Sequence, residues 1–393
     1  MKIVVAMDSF KGSLTSSEAG NAARNGILKA LELDKSESHE VVVFPLADGG
    51  EGTVEAITAK DGGDFETINV AGPLGDDTSF IYGILKDGTI VMEMAQAAGL
   101  TLIPQDRLNP LKTSTYGLGQ AIASIVKGAN GKKLKFLIGI GGSATNDCGT
   151  GMLQALGYRF LDESGNELKG NGGNLDKIVE INGDNVIPGL DKCKFEIASD
   201  VMNVLYGEEG AAYVYAKQKG ADDDMIEQLD EGMHNFADVV FWYNATYETQ
   251  TEGAGAAGGL GYAFLSFFPG QVTFSSGADL VMEANKIKEE LMQGVDLMVT
   301  GEGCLDAQTV NGKGPMKAAA MAKTNDVPIV AIAGMMEEDF KVLHDAGISA
   351  CFSIMDHPCS ANDAMQKDFA IAGVERTAEQ VMRTILMGRS LAK

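Results

Sequence analysis

Both ends of the chain carry the same alternation of short apolar runs and helical patterns, and that alternation constrains the fold more than anything else in the sequence. Ile3 to Met7 is an uninterrupted apolar run closed by Asp8, which predicts a strand buried on both faces. A helix follows to about Leu33, capped by Thr15 or Ser16, with Glu18 spaced for a capping box on Thr15. A second apolar strand, Val41 to Leu46, runs through Ala47-Asp48-Gly49-Gly50-Glu51-Gly52-Thr53 into a helix from Val54 to about Ala59. The C-terminal third repeats the scheme. Helical patterns at about 279–291, 317–323, 340–347 and 370–386 alternate with apolar strands at 295–299, 329–333 and 351–354. Between the two ends, the segment from Phe65 to Ala95 alternates in polarity around two turn signals, Gly75-Asp76-Asp77 and Lys86-Asp87-Gly88, and predicts antiparallel strands. The expected fold class is α/β with two α/β domains. A parallel-sheet domain is built from both chain ends, 1–65 and 280–393. A mixed α/β domain, 66–279, is inserted, and an active-site cleft is expected between them.

The stretch Lys135 to Gly157, KFLIGIGGSATNDCGTGMLQALG, places an apolar strand, a turn without bulky side chains and a helical pattern in that order. This layout points backbone N–H groups at an anion, because the first turn of a helix has unpaired donors and a partial positive charge. It matches neither the Walker pattern nor the dinucleotide fingerprint. A close-packed strand-to-helix turn reads equally well.

The totals exclude several classes. A net charge of −24 leaves no basic face for nucleic acid, and a phosphate site in such a field needs local cations or metal. The five cysteines are irregularly spaced without a C-x-x-C, and no two of the four histidines form an H-x-x-x-H pair. That argues against a zinc site or a disulfide framework and fits a reducing cytoplasm. No run of about eighteen apolar residues marks a membrane span, and the N-terminus lacks a signal-peptide pattern. The 49 glycines cluster in turns rather than in a repeat. Trp242 in VVFWYN reads as a packing anchor, and Met335 and Met336 as core filler.

Five loops share one grammar: small residues, an acid and a polar partner at the end of an apolar strand. They are 8–13, 48–53, 141–147, 199–203 and the segment from Gly301 through Lys313. The mixture suits phosphoryl transfer, which needs Mg²⁺ held by carboxylates, glycine backbone near phosphates, a cation and an acid that orients the attacking hydroxyl. On this reading Asp200, Lys11, Lys313 and Asp8 are catalytic, Asp200 as the acid beside the hydroxyl. Gly141, Gly142, Ser143, Asn146, Gly255, Gly258, Gly301 and Gly303 surround the cofactor. Ser9, Asp48, Gly49, Gly50, Asn203, Gln308 and Thr309 bind the acceptor, and Asp306, Glu302 and Asp147 hold the metal. Each has a plainer reading: a solvated lysine, a helix-capping acid, or, for the GAGAAGGLG run at 253–261, close helix packing or a lid.

At these motifs the chain resembles the bacterial glycerate 2-kinases of the glycerate kinase family. The resemblance is carried by DSFKGSL at 8–14, LADGGEGT at 46–53, STYGLGQAI at 114–122, GIGGSATNDCGTGMLQALG at 139–157 and SDVMNVLYGEEGA at 199–211. It continues through QKGA at 218–221, GAGAAGGLG at 253–261, TGEGCLDAQTVNGKGP at 300–315 and ERTAEQV at 375–381. It implies phosphorylation of D-glycerate by ATP with Mg²⁺, giving 2-phosphoglycerate and ADP, on a two-domain α/β fold with the site between the domains. Three positions depart from the family pattern: Val204, where proline is usual, Cys304, where arginine is usual, and Met7, where proline is frequent. The absence of a guanidinium at 304 bears on carboxylate recognition. A homodimer is left open.

Overall fold

In chain order the strands are β1 (Lys2–Met7), β2 (Glu40–Pro45), β3 (Asp64–Ala71), β4 (Asp77–Ile84), β5 (Ile90–Glu93), β6 (Leu134–Gly139) and β7 (Arg159–Leu161). They continue as β8 (Glu180–Asn182), β9 (Cys193–Ala198), β10 (Val272–Ser275), β11 (Leu297–Leu305), β12 (Ile329–Met336) and β13 (Ala350–Ser353). The structure, a computed structural model, describes residues 1–32, 38–306, 309, 314–338 and 340–391. Gln308 and Lys313, two of the expected site residues, lie outside the described residues. The chain divides into two compact units, Met1–Asp48 with Ala278–Lys393, and Gly49–Gly277.

The first unit is a five-stranded parallel sheet in the order β13-β12-β11-β1-β2. β1 lies between β2 and β11, so Ile3 through Met7 are wholly buried. The two-residue period of a strand divides them between two cores. Ile3, Val5 and Met7 meet the helices Ser16–Leu31 and Lys367–Leu391 on one face. Val4 and Ala6 meet Met282, Ile287, Ala318 and Ala322 on the other. The Ser16–Leu31 helix starts with the expected capping box: Thr15 accepts from the Glu18 amide and Glu18 reaches back to the Thr15 amide. Gly26 lets the two helices of that face touch, since a Cβ there would lie 2.0 Å from the Glu375 carbonyl oxygen. Counted within this unit the strand order is 2-1-3-4-5. Its direction of winding reverses between β1 and β11, and open α/β sheets bind ligands at the carboxyl ends of such a pair.

The second unit carries a six-stranded mixed sheet, β10-β9-β6-β5-β4-β3. β3, β4 and β5 are antiparallel, as the alternation predicts, and β5, β6, β9 and β10 are parallel. A small antiparallel pair, β7 and β8, lies apart. The helix Thr53–Asp61 belongs to this unit, where the Val54 amide donates to the buried Glu93 carboxylate at 2.6 Å. The crossing expected near residue 65 therefore falls inside the second unit. A long helix of this unit runs from Asp223 to Asn244. Trp242, on its last turn, is 84% exposed rather than a packing anchor. Among the described residues no helix is long and apolar enough to cross a membrane.

Candidate active site

In the first unit, the expected residues converge where the winding reverses. Asp8 and Ser9 follow β1, Asp48 lies three residues past β2, and Glu302 and Gly303 lie in the second half of β11. All of these, with Lys11, line one cavity of about 560 Å³. Asp8 is buried and accepts from the Ser9 amide at 2.6 Å. Burial pushes its carboxyl up to about 8, and the charges of Asp48 and Glu302 push the same way. Lys11 Nζ lies 3.6 Å from Asp48 Oδ2, and chiefly that carboxylate raises the lysine's pKa. Gly301 is buried in the sheet, with its carbonyl accepting from the Asp8 amide. A Cβ at Gly301 would lie 1.9 Å from the Ile332 carbonyl oxygen. Gly301 is thus a packing glycine that fixes the loop, whereas Gly303 faces the cavity. Thr309 is buried, its hydroxyl 2.9 Å from Glu302 Oε1 and 3.2 Å from Asp306 Oδ1. It therefore orients both acids.

The rest of the cavity was not legible in the sequence. β12 supplies Gly334 and Met335, and Ile354 and Met355 follow β13. Cys359 and Met365 come from the segment before the last helix. Met335 is 54% exposed, which corrects its reading as core filler. Apolar lining and apolar core look alike in a sequence, so no local signal marked these residues. Cys304 lines the same wall.

In the second unit, three loops meet at the carboxyl ends of β6 and β9. The Gly141 amide donates to the Gly49 carbonyl and the Ile140 amide to that of Ala198. A Cβ on Gly139 would lie 2.2 Å from Gly49 O, and one on Gly141 2.9 Å from Gly50 Cα. Small residues here let backbones touch. Ser143 is nearly buried, and its hydroxyl accepts from Lys219 Nζ at 2.9 Å, while the same ammonium donates to the Thr145 carbonyl at 2.7 Å. Lys219 is itself buried, and desolvation brings it down to about 7. Sequence reasoning missed this residue. Its trace was the lysine of QKGA at 218–221, a motif that carried the resemblance but was given no role.

Several expected ligands have other work. The Asp147 carboxylate is wholly buried and accepts from the Thr115 amide and hydroxyl and from the Gly149 and Gly151 amides. Its oxygens are spent on the turn, which corrects its assignment to a metal. Asn146 is wholly buried and donates to the Ala211 carbonyl. Asn203 accepts from Tyr215 Oη and donates to the Glu209 carbonyl, closing its own loop. Gly255 and Gly258 are packing glycines as well: Cβ atoms there would lie 2.1 Å from Val204 O and 2.0 Å from Thr145 O. The 253–261 run therefore packs against its own unit and is not a phosphate loop. Asp200, two residues past β9, is partly exposed.

Among the described residues no group of three His, Cys, Asp or Glu side chains forms a metal cage. The carboxylates of the first-unit cavity still suit Mg²⁺, which binds through one or two carboxylates together with substrate phosphates.

The cavity therefore combines carboxylates, a lysine and glycine backbone at the carboxyl edge of a doubly wound sheet, the equipment of a phosphotransferase. Comparison with known proteins agrees. The model of the glycerate kinase family matches residues 3–386. A glycerate kinase of Bacillus subtilis (strain 168) is 41% identical over 393 residues, covering 100% of this chain and 99% of the relative. A glycerate 2-kinase of Escherichia coli (strain K12) is 37% identical, covering 99% of both. The crystal structure of a Salmonella typhimurium LT2 protein described as glycerate kinase 2 superposes with a TM-score of 0.77 at 36% identity, over 99% of both chains. The chain belongs to the glycerate kinase family.

Proposed function

We propose that the protein transfers the γ-phosphoryl group of ATP, as its Mg²⁺ complex, to the 2-hydroxyl of D-glycerate, giving 2-phosphoglycerate and ADP. The observation that carries this reading is the cavity at the β1–β11 reversal, where Asp8, Asp48, Glu302 and Lys11 share one wall. The name of the Escherichia coli relative, glycerate 2-kinase, supports the 2-position.

Glu302 and Asp306 are the residues that would hold Mg²⁺, with Thr309 fixing both, and Asp8 and Asp48 line the cavity that its phosphate partners would enter. When bound, the ion neutralises charge on the transferring phosphoryl group and its leaving oxygen. Lys11 adds a second positive charge for the phosphoryl oxygens, and its ion pair with Asp48 keeps the ammonium beside the acids. Asp200 is assigned to the acceptor hydroxyl, which it orients and whose proton it takes late, as a loose transition state allows. The Gly141–Ser143 turn, steadied by Lys219, is assigned to anionic oxygens. Lys313 is retained as a second candidate cation and Gln308 as a candidate acceptor contact.

The test is ADP release measured over a panel of small hydroxy acids, with the product position read by phosphorus NMR. D-Glycerate giving 2-phosphoglycerate is expected. A 3-phospho product, or a preference for another hydroxy acid, overturns the assignment.

A further inference from the structure

The cavity of the first unit has a charged half and an apolar half, drawn largely from different strands. Its acids and Lys11 come from the loops after β1 and β2 and from β11 itself, and the loop after β1 also supplies Phe10. Met335, Ile354 and Met355 come from β12 and from the chain after β13, on the other side of β11, and Met365, later in that chain, reaches back so that a Cβ on Gly12 would lie 2.9 Å from its Cε. At about 560 Å³ the cavity falls within the roughly 300–1,000 Å³ range of pockets that enclose drug-sized ligands. A three-carbon acid would leave most of it empty, and such an acid offers nothing for three methionines and an isoleucine to touch.

We propose that the apolar half is the seat of the nucleotide's adenine ring, with the phosphates directed at Asp8, Lys11 and Glu302; this rests on the phosphotransferase reading above. Flat aromatic faces suit methionine, whose polarizable sulfur makes favourable contacts with rings and whose unbranched chain adapts to their outline. The choice of adenine over guanine follows from what the apolar half lacks among the described residues. Guanine presents a ring N–H and an amino group on one edge, a pair that a carboxylate would accept. The carboxylates that line the cavity, Asp8, Asp48 and Glu302, all belong to the charged half. Ser360, a polar side chain near Met365, donates to Asp363 Oδ2 and accepts from the Asp363 amide, closing the start of its helix. Cys359 Sγ remains a weak partner on this wall.

Two substitutions test the seat without touching the acids. Met335 is 54% exposed, so Met335→Glu is expected to fold, and it places a negative charge beside the base. Ala364→Phe fills space in the same cavity. Mg·ADP binding is measured by calorimetry with no acceptor present, alongside inorganic tripolyphosphate with Mg²⁺. Both variants are expected to weaken Mg·ADP by about tenfold or more and to leave tripolyphosphate within about twofold. Wild-type protein is expected to bind Mg·GDP less tightly than Mg·ADP by about tenfold. A second measurement avoids mutation: alkylation of Cys359 by iodoacetamide, followed by mass spectrometry, should be slowed by Mg·ADP and not by D-glycerate. Unchanged Mg·ADP binding in both variants overturns the seat, and so does protection of Cys359 by D-glycerate alone. If the wild type binds Mg·ADP in this way yet phosphorylates no glycerate, the function reading fails and the seat stands. If it phosphorylates glycerate while Cys359 reacts equally with and without Mg·ADP, the seat fails and the function stands.

Discussion

Lys219 Nζ lies 2.9 Å from Ser143 Oγ and 2.7 Å from the Thr145 carbonyl oxygen, so one buried ammonium spans the turn between β6 and the helix that follows. Burial lowers this lysine from its ordinary 10.5 to about 7. The unfolded chain then binds one more proton than the folded chain between about pH 7 and 10.5. Wild-type stability gains from this group as pH rises through that window and carries the desolvation cost below it. Lys219→Met, which keeps the bulk and removes the charge, is therefore expected to lose stability relative to wild type as pH rises from 7, with a slope approaching about 1.4 kcal/mol per pH unit. Denaturant unfolding of both proteins at several pH values checks this. A pH-independent difference would show that the lysine titrates normally. Hydrogen exchange at the amides of residues 142–146 should also quicken in the variant.

Asp8 sets function against stability. Its carboxyl is pushed up to about 8 from an ordinary 3.8, first by burial and then by Asp48. Between those values the folded chain binds the extra proton, so the group's contribution to stability falls as pH rises. Asp8→Asn is expected to unfold at higher denaturant than wild type at pH 8 without Mg²⁺. Turnover at saturating substrates is expected to fall about 10²-fold or more. A variant that is both less stable and fully active contradicts both halves of the argument.

Lys11→Met separates the two effects differently. The lysine side chain is 72% exposed, so stability is expected to move within about 0.5 kcal/mol. Its loss from the phosphoryl oxygens should reduce kcat by about 10²-fold. Near wild-type turnover would remove Lys11 from the machinery.

Two glycines of the second unit distinguish strain from contact. Gly142 has φ +74, and a Cβ there would meet only the Ala95 Cβ, at 3.5 Å. Gly142→Ala should cost about 1–2 kcal/mol, the price of a left-handed residue. Gly258 has a similar φ of +67, but its Cβ would sit 2.0 Å from Thr145 O, so Gly258→Ala should cost clearly more. Thermal unfolding of the pair checks the order, and equal costs would refute the close packing.

Exhaustive EDTA treatment should abolish phosphoryl transfer and leave the melting temperature unchanged, with activity returning on addition of Mg²⁺. The acids of the cavity suit an ion that arrives with phosphate rather than one that holds the fold. A drop in melting temperature with EDTA would show a structural metal.

What could be read from the sequence follows from the range of the forces involved. β1 was legible because burial on both faces demands an unbroken apolar run, and β3 and β4 because one-sided packing demands alternation. The pairing of β1 with β11, which creates the winding reversal, involves residues as distant as Ile3 and Leu297 and leaves no local mark. Asp147 was misread because an acid in a glycine turn looks the same whether it faces a metal or four donors of its own unit. Met335 and Trp242 were misread because composition does not say which side of an element meets solvent. Lys219 sits in the QKGA motif at 218–221, yet only the fold reveals that its ammonium is enclosed.

The placement of β1 between β2 and β11 has a consequence for synthesis. On a ribosome β1 emerges first, yet its second neighbour emerges only after the whole of Gly49–Gly277 has been made, a delay on the order of 10–50 s at about 5–20 residues per second. Gly49–Gly277 is contiguous and can close while translation continues. The nascent strand Ile3–Met7 meanwhile offers an open, wholly apolar edge, the kind of surface that recruits chaperones or other nascent chains. Moving the N-terminal segment to follow the last helix, by circular permutation, would bring β1 and β11 off the ribosome together and shorten that exposure.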